Sequence, residues 1–249
     1  MTTIAVVAED EGHIRVTTRI VDAALERAVP WLTGVLDSSR HYRGERPDER
    51  WFKISWIGSR DLGAITIDGR LPKRHGRIAG QALEPEARLW RDILLWFSSL
   101  SPRPEVLLVV RDLDGNPGKR AGVLQVRDNL TWPFVVVVAT PEPEVEAWVV
   151  AGFEPRDDVE AATLRSLSAE LSFDPTREPH RLTAHPNDAP RDAKRVLFQL
   201  SRGDEERERA CLDDHARLRE RGDETHLPAF LDEIDQRLVP IFDPGHPRR

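Results

Sequence analysis

Two aspartates, Asp112 and Asp114, follow the apolar run Val106-Leu-Leu-Val-Val110 with one residue between them, and Gly115 comes directly after. Five consecutive apolar residues of this kind predict a buried β-strand. Side chains alternate along an extended chain, so the two carboxylates are expected to leave on one side, where they can share a cation. Hard divalent ions prefer oxygen ligands, and Mg²⁺ takes one or two carboxylates while keeping its other positions for water or phosphate. The competing explanation is a polar turn that ends a core strand, because a short motif alone is weak evidence.

A second run, Ile4-Ala-Val-Val-Ala8, delivers Glu9, Asp10 and Glu11 in the same manner. Ile14, Val21, Ala24, Leu25 and Ala28 then fall near helical spacing, which predicts strand, turn and helix, with Pro30 ending the helix. Acids also favour a helix N-terminus through capping and the helix dipole, so at least one of the three is expected to serve there. A third run, Phe134 to Ala139, leads past Pro141 and Pro143 into a helix closed by Gly152. Val145, Trp148 and Val149 form its inward face, while Glu142 and Glu146 are four apart and share another. A helix that starts at the carboxyl end of a sheet strand carries its first turns past the other strand ends. Glu146 is thereby brought toward Asp112, Asp114 and Glu9.

Positioning these acids requires an α/β core with the strands at Ile4, Val106 and Phe134 parallel and adjacent. The 249 residues allow one large domain or one domain with an appendage. A formal charge of -7 argues against a surface that traps nucleic acid everywhere, yet leaves room for a local basic patch. The one cysteine, Cys211, lies in a charged helical segment; it forms no internal disulfide, and Cys211→Ser is expected to have only a surface-scale effect. The apolar run at Ile4 is too short for a signal peptide and none is long enough to cross a bilayer, so a cytoplasmic protein is expected.

Between Trp31 and Gly80 the pattern is mixed. Arg50 to Ile57 and Gly63 to Gly69 predict an insertion hairpin, followed by the densest basic run, Arg70 to Arg77. That run is expected to be a solvated loop, with phosphate contact as its functional alternative. Pro85 starts a helix to about Leu100 whose Leu89, Trp90, Ile93, Leu94, Trp96 and Phe97 form a core face. Asn116-Pro-Gly-Lys-Arg120 lacks the glycine spacing and the hydroxyl residue of a phosphate-binding loop, though Lys119 and Arg120 are placed to touch a phosphate. Beyond Pro155 helices are expected over 157–171, 191–200, 203–221 and 228–241, with the interleaved charges of 204–221 forming a solvated, ion-paired face. His180, His185 and Asn187 sit among prolines without metal-ligand spacing and read as polar surface.

The order of parts resembles the Toprim fold, the metal-binding α/β domain of topoisomerases, primases and the overcoming-lysogenization-defect nucleases. The residues that carry the resemblance are Glu9 after the first strand and Asp112-Leu-Asp114 after a later one. Val145-Glu-Ala-Trp-Val-Val-Ala-Gly-Phe153 adds a likeness to the Glu-x-Trp-Leu-Leu type helix of small Toprim-like proteins in bacterial defence loci, where Glu146 is the matching residue. The glycine usual after the first glutamate is Asp10 here, while Glu11-Gly12 restores that pair, so the choice between Glu9 and Glu11 stays open. The resemblance covers 1–155, with an insertion around 31–80 and a charged helical extension over 156–249. It implies a Rossmann-like, mostly parallel sheet with helices on both faces, and Glu9, Asp112, Asp114 and Glu146 around Mg²⁺ or Mn²⁺. The activity it implies is that of a phosphodiesterase cleaving DNA or RNA, an anti-phage defence effector working with an ATPase partner. The alternative is a non-catalytic Toprim-like docking subunit of an ATPase complex; homo-oligomerisation is left open. A receiver domain is rejected, because Glu9 and Asp112 lie much farther apart than one βαβ unit of about 30 residues, and no Lys follows the strand at Val135.

Overall fold

The computed structural model describes residues 1–46, 48–58, 76–243 and 245. β1 (Thr2–Ala8) runs into α1 (Glu11–Ala28), and α2 (Leu36–Ser39) leads into β2 (Arg40–Arg43). β3 (Phe52–Lys53) passes directly into α3 (Ile54–Gly58), and a small antiparallel pair, β4 (Arg77–Ile78) and β5 (Gln81–Ala82), precedes α4 (Ala87–Ser99). β6 (Val106–Val110), α5 (Pro117–Asn129), β7 (Val135–Ala139) and α6 (Glu146–Gly152) complete the first part of the chain.

The main sheet has the order β2-β1-β6-β7, with β3 beside the far end of β1. Each of its pairings is parallel, and the three apolar runs lie in register, Ile4 opposite Val106 and Val106 opposite Val135. Alternate residues feed two cores. Ile4, Val6, Leu108 and Val137 meet α1 and α6 on one face, while Ala5, Val7, Leu107 and Val136 meet Trp90, Ile93 and Phe97 of α4 and Val123 and Val126 of α5 on the other. Burial on both faces explains why these strands read as unbroken apolar runs. The chain is thus an α/β protein built on a parallel sheet, as the sequence predicts.

Of the hairpin's first expected strand, 50–57, only Phe52 and Lys53 form a strand. Phe52 and Lys53 pair parallel with Val7 and Ala8, and the chain turns helical at Ile54. The free edge of β1 supplies the backbone partners, and Phe52 is buried edge-on against Phe97 and Trp96, with ring centroids 5.0 and 5.6 Å away. The second expected strand, 63–69, lies outside the described residues, as does the basic run apart from Gly76 and Arg77.

The remainder comprises α7 (Asp158–Leu171), α8 (Ala193–Ser201), α9 (Glu205–Cys211), α10 (His215–Arg221) and α11 (Leu227–Glu233), then a π-helical turn over Ile234–Leu238 and α12 (Val239–Phe242). The single helix expected over 203–221 is split, because Asp214 accepts a hydrogen bond from Arg217 N and starts a new helix. Charge here does not mean exposure. Leu212, Leu218, Leu227, Phe230, Leu231, Ile234, Leu238 and Val239 join the same buried cluster as Ile4, Leu108 and Trp148. Trp148 stacks on Phe230 and donates its indole N–H to Thr225 O at 2.8 Å.

Cys211 is likewise buried, against the surface position expected from its charged neighbours. Its thiol donates to Arg207 O at 3.3 Å, and Arg207 is itself buried and paired with both oxygens of Glu160 at 2.9 Å. Cys211→Ser places a more strongly hydrated hydroxyl in that site and should cost about 1 to 2 kcal/mol in a denaturant melt. Beside it, α6 and α9 touch backbone to side-chain position: a Cβ on Gly152 would lie 1.9 Å from Cys211 O. Gly152→Ala should therefore force the helices apart and lower stability by about 1 to 3 kcal/mol, read from the shift in melting midpoint.

Candidate metal centre

Because β1 and β6 are parallel neighbours, their carboxyl ends open side by side at one edge of the sheet. Asp10 ends the loop after β1 and caps α1, its Oδ1 accepting from His13 N at 3.3 Å and lying 2.8 Å from His13 Nδ1. The cap fixes the first turn of α1 so that the ring of His13, only 3 % exposed, points across to β6. There His13 Nε2 stands 2.9 Å from Asp112 Oδ2, close enough for an ion pair but off the line of a hydrogen bond. Glu9 completes a trio: one donor atom each from Glu9, His13 and Asp112 lie within 4.8 Å of one another and can hold a metal ion. Among the described residues no second group of this kind forms.

Cations stand between the acids. Arg111 pairs with Glu9 and with Glu86, and Lys119, on the first turn of α5, pairs with Asp114 and donates to Asp112 O at 3.1 Å. Burial favours the neutral ring of His13, but the carboxylates of Asp10 and Asp112 on its two nitrogens outweigh it and hold the pKa up to about 10. The same hydrogen bond from His13 draws Asp10 down to about 2. A group held this way is charged at neutral pH and must release its proton to serve as a ligand.

The helix after β7 adds a second set of acids. Glu144, buried just before α6, is pushed up to about 8 by burial and by the nearby charge of Glu146. Lys194 of α8 opposes that shift from 3.1 Å. Burial also raises Glu146, with Asp112 adding to the shift and Lys194 and His13 opposing it. Asp112 Oδ1, Glu144 Oε1 and Glu146 Oε2 are buried without a hydrogen-bond partner. Buried carboxylate oxygens in native proteins are normally paired, so three around one charge-coupled centre point to a bound cation or water. The trio's two carboxylates and one imidazole fit such an ion.

The sequence-derived residues divide accordingly. Glu9 and Asp112 come together, and Glu9, not Glu11, is the member of the trio; Glu11 is exposed at the start of α1. β6 stops at Val110, so Asp112 and Asp114 both lie in the following loop. A left-handed turn, φ +50° at Asp114 and +75° at Gly115, sends Asp114 to Lys119 and outside the trio. Its expected exit on the same side as Asp112 fails because the backbone is no longer extended there. Glu146 is coupled to Asp112 and His13 but is not in the trio. Asn116 to Arg120 forms the capped first turn of α5, with Asn116 Oδ1 accepting from Gly118 N at 3.1 Å.

Sequence reasoning does not single out His13, Arg111, Glu144 or Lys194. His13 has a readable signal, a histidine three residues after a capping aspartate in the first turn of a helix. Lys194 has none, because it arrives from a distant helix. His180 lies 3.4 Å from Glu224 and belongs to no metal-binding group among the described residues, nor does His185. A groove of about 1010 Å³ runs along α1 between Trp51 and Arg209, and Glu9, His13 and Asp112 do not line it. Its arginines and acids nearly cancel, so it favours no partner of single charge. No described helix is long and apolar enough to cross a membrane. Compared with known proteins, the chain matches no family model, no curated protein and no solved structure.

Proposed function

We propose that this protein is a metal-dependent phosphodiesterase of Toprim-like fold that cleaves nucleic acid. The observation that carries the reading is the convergence of Glu9, His13 and Asp112 at the carboxyl edge of a parallel sheet, where ligand sites of open α/β folds occur. Glu9, His13 and Asp112 would hold the ion, which supplies charge for the phosphoryl oxygens and lowers the pKa of a bound water. An imidazole beside two carboxylates suits Mn²⁺ or a later transition ion better than Mg²⁺, which favours oxygen throughout. Asp10 orients the imidazole through Nδ1, the arrangement that fixes which nitrogen faces a metal. Glu146, whose Oε2 is buried and whose pKa is raised, takes the proton of the attacking water. The water oxygen bonds to phosphorus as the ester bond on the opposite side breaks, and the leaving oxygen takes a proton from solvent, giving a monoester and an alcohol.

The test is Mn²⁺ and Mg²⁺ titration by calorimetry beside a cleavage assay on single-stranded DNA, duplex DNA and structured RNA. Saturable Mn²⁺ binding with metal-dependent cleavage is expected; the anti-phage setting with an ATPase partner that we propose for it rests on the resemblance of Glu9, Asp112, Asp114 and Glu146 to Toprim-like proteins. Absence of both would favour the docking-subunit reading. One observation supports that alternative: Arg111 and Lys119 already neutralise Glu9 and Asp114, as a purely structural ion-pair network would.

A further inference from the structure

α8 buries Ala193, Val196, Leu197, Leu200 and Ser201 against the core. What it leaves exposed is one stripe, Lys194, Phe198 and then Arg202, which caps the helix in the left-handed conformation. The spacing of four residues puts Lys194 and Phe198 on one face, about 6 Å apart at Cβ, and Arg202 follows at the C-terminal end of the helix. Phe198 is 64 % exposed, more than Trp31 or Trp56, on a helix face that would otherwise be polar. Gly203, with φ +71°, sits against one edge of its ring and has no side chain to cover it. Cations flank the ring. Lys194 is half exposed, its Nζ lies 3.1 Å from Glu144 Oε2, and it is near enough to Asp112 of the trio to feel that charge. Arg202 is exposed and forms no ion pair among the described residues, unlike Arg195 with Glu170, Arg207 with Glu160 and Arg219 with Asp232.

We infer that the Lys194, Phe198 and Arg202 stripe binds an unpaired nucleic-acid strand and leads it into the metal centre. Lys194 takes the phosphate nearest the site, Phe198 stacks under the adjoining base, and Arg202 takes a phosphate further along. Alternation of aromatic and cationic side chains is the chemistry of single-strand binding, since every base offers a π-face and every linkage a charge. A duplex keeps its bases stacked and offers no such face, so the stripe selects single strands. This inference rests on the phosphodiesterase reading and narrows its substrate.

The test is fluorescence anisotropy with labelled single-stranded DNA, single-stranded RNA and duplex DNA of one sequence, in EDTA so that no cleavage occurs. Wild type should prefer both single strands to the duplex, and an RNA or DNA preference between them identifies the source of the strand. Phe198→Ala should weaken single-strand binding about 10-fold, and Phe198→Trp should retain it. Arg202→Gln should reduce the slope of log affinity against log salt by about 0.7. Thermal melts confirm that each variant is folded. Equal binding by wild type and Phe198→Ala, or preference for duplex, would overturn the inference. Wild-type hydrolysis of bis(p-nitrophenyl) phosphate with Mn²⁺ tests the metal centre independently of the stripe, so its absence counts against the phosphodiesterase reading alone.

Discussion

Asp112→Ala should eliminate metal-dependent cleavage and at the same time destabilise the fold. Even residues outside the ligand shell typically cost roughly 10- to 100-fold in metal affinity or activity, so loss of a ligand should exceed about 100-fold. The stability effect follows from His13. With Asp112 gone, a ring that is 3 % exposed keeps, among the described residues, its ion pair with Asp10 alone, and its charge is no longer held from both sides. Breaking a buried ion pair from one side costs about 3 to 5 kcal/mol, which the ring reduces by giving up its proton. Carboxylates crowded at a sheet edge would, on sequence alone, predict the opposite sign, with removal of one relieving repulsion. His13, Arg111 and Lys119 stand between those acids and reverse the expectation. Asp114→Ala, which frees Lys119, should leave Mn²⁺ affinity closer to wild type than Asp112→Ala does. Calorimetric titration, denaturant melts and a cleavage assay on the same variants decide it; a stabilised Asp112→Ala protein would show that His13 is not held as described.

Raising the pH above neutrality should weaken the metal-free protein by several kcal/mol. A histidine whose folded pKa is raised stabilises the fold fully below its ordinary value of 6.5, and that contribution is lost as pH climbs through about 10. A tenfold difference in proton affinity between the folded and the unfolded chain corresponds to roughly 1.4 kcal/mol. Glu144 acts in the same direction, since its carboxyl, raised to about 8, is protonated in the fold where the unfolded chain is ionised. His215 acts on the other side. Burial lowers it to about 4, so its contribution is present above 6.5 and lost as pH falls through 4. Stability should therefore be greatest just on the acid side of neutrality. His13→Gln should flatten the alkaline limb above about pH 8, where Glu144 is ionised folded and unfolded alike, and in the wild type Mn²⁺ should bind more tightly as pH rises, releasing a proton from the ring. An alkaline limb that persists in His13→Gln would assign it to another group.

The strands and the two acids at the sheet edge are legible because their information is local. Five apolar residues ending in a carboxylate can be read without knowing what lies beside them, and both Glu9 and Asp112 carry that signature. What escapes depends on neighbours. Residues 54–57 carry strand-like residues, but pairing at the edge of β1 uses up only Phe52 and Lys53, and the chain is then free to coil into α3. Asp114 fits the pattern of its neighbour until a left-handed turn redirects it. Cys211 and Leu218 sit in a charged sequence, yet many of its charges are taken up in ion pairs and leave a narrow apolar stripe packed on α6. Lys194 reaches the site across the tertiary fold, from a helix whose sequence contains no hint of Glu144.

The close approach of Gly152 to the carbonyl of Cys211 ties the carrier of Glu146 to a helix that begins long after the last strand. α6 packs against α8, α9 and α10, which together cover it. Opening the C-terminal helices would thus uncover Trp148 and the sheet residues beneath it together, making one unit of local unfolding. Amide protons over 147–152 and 207–212 should then exchange with solvent at a common rate, set by that single opening. A protease acting on the native protein would find no stable fragment ending near Pro155, because the severed piece would carry an apolar sheet face into water.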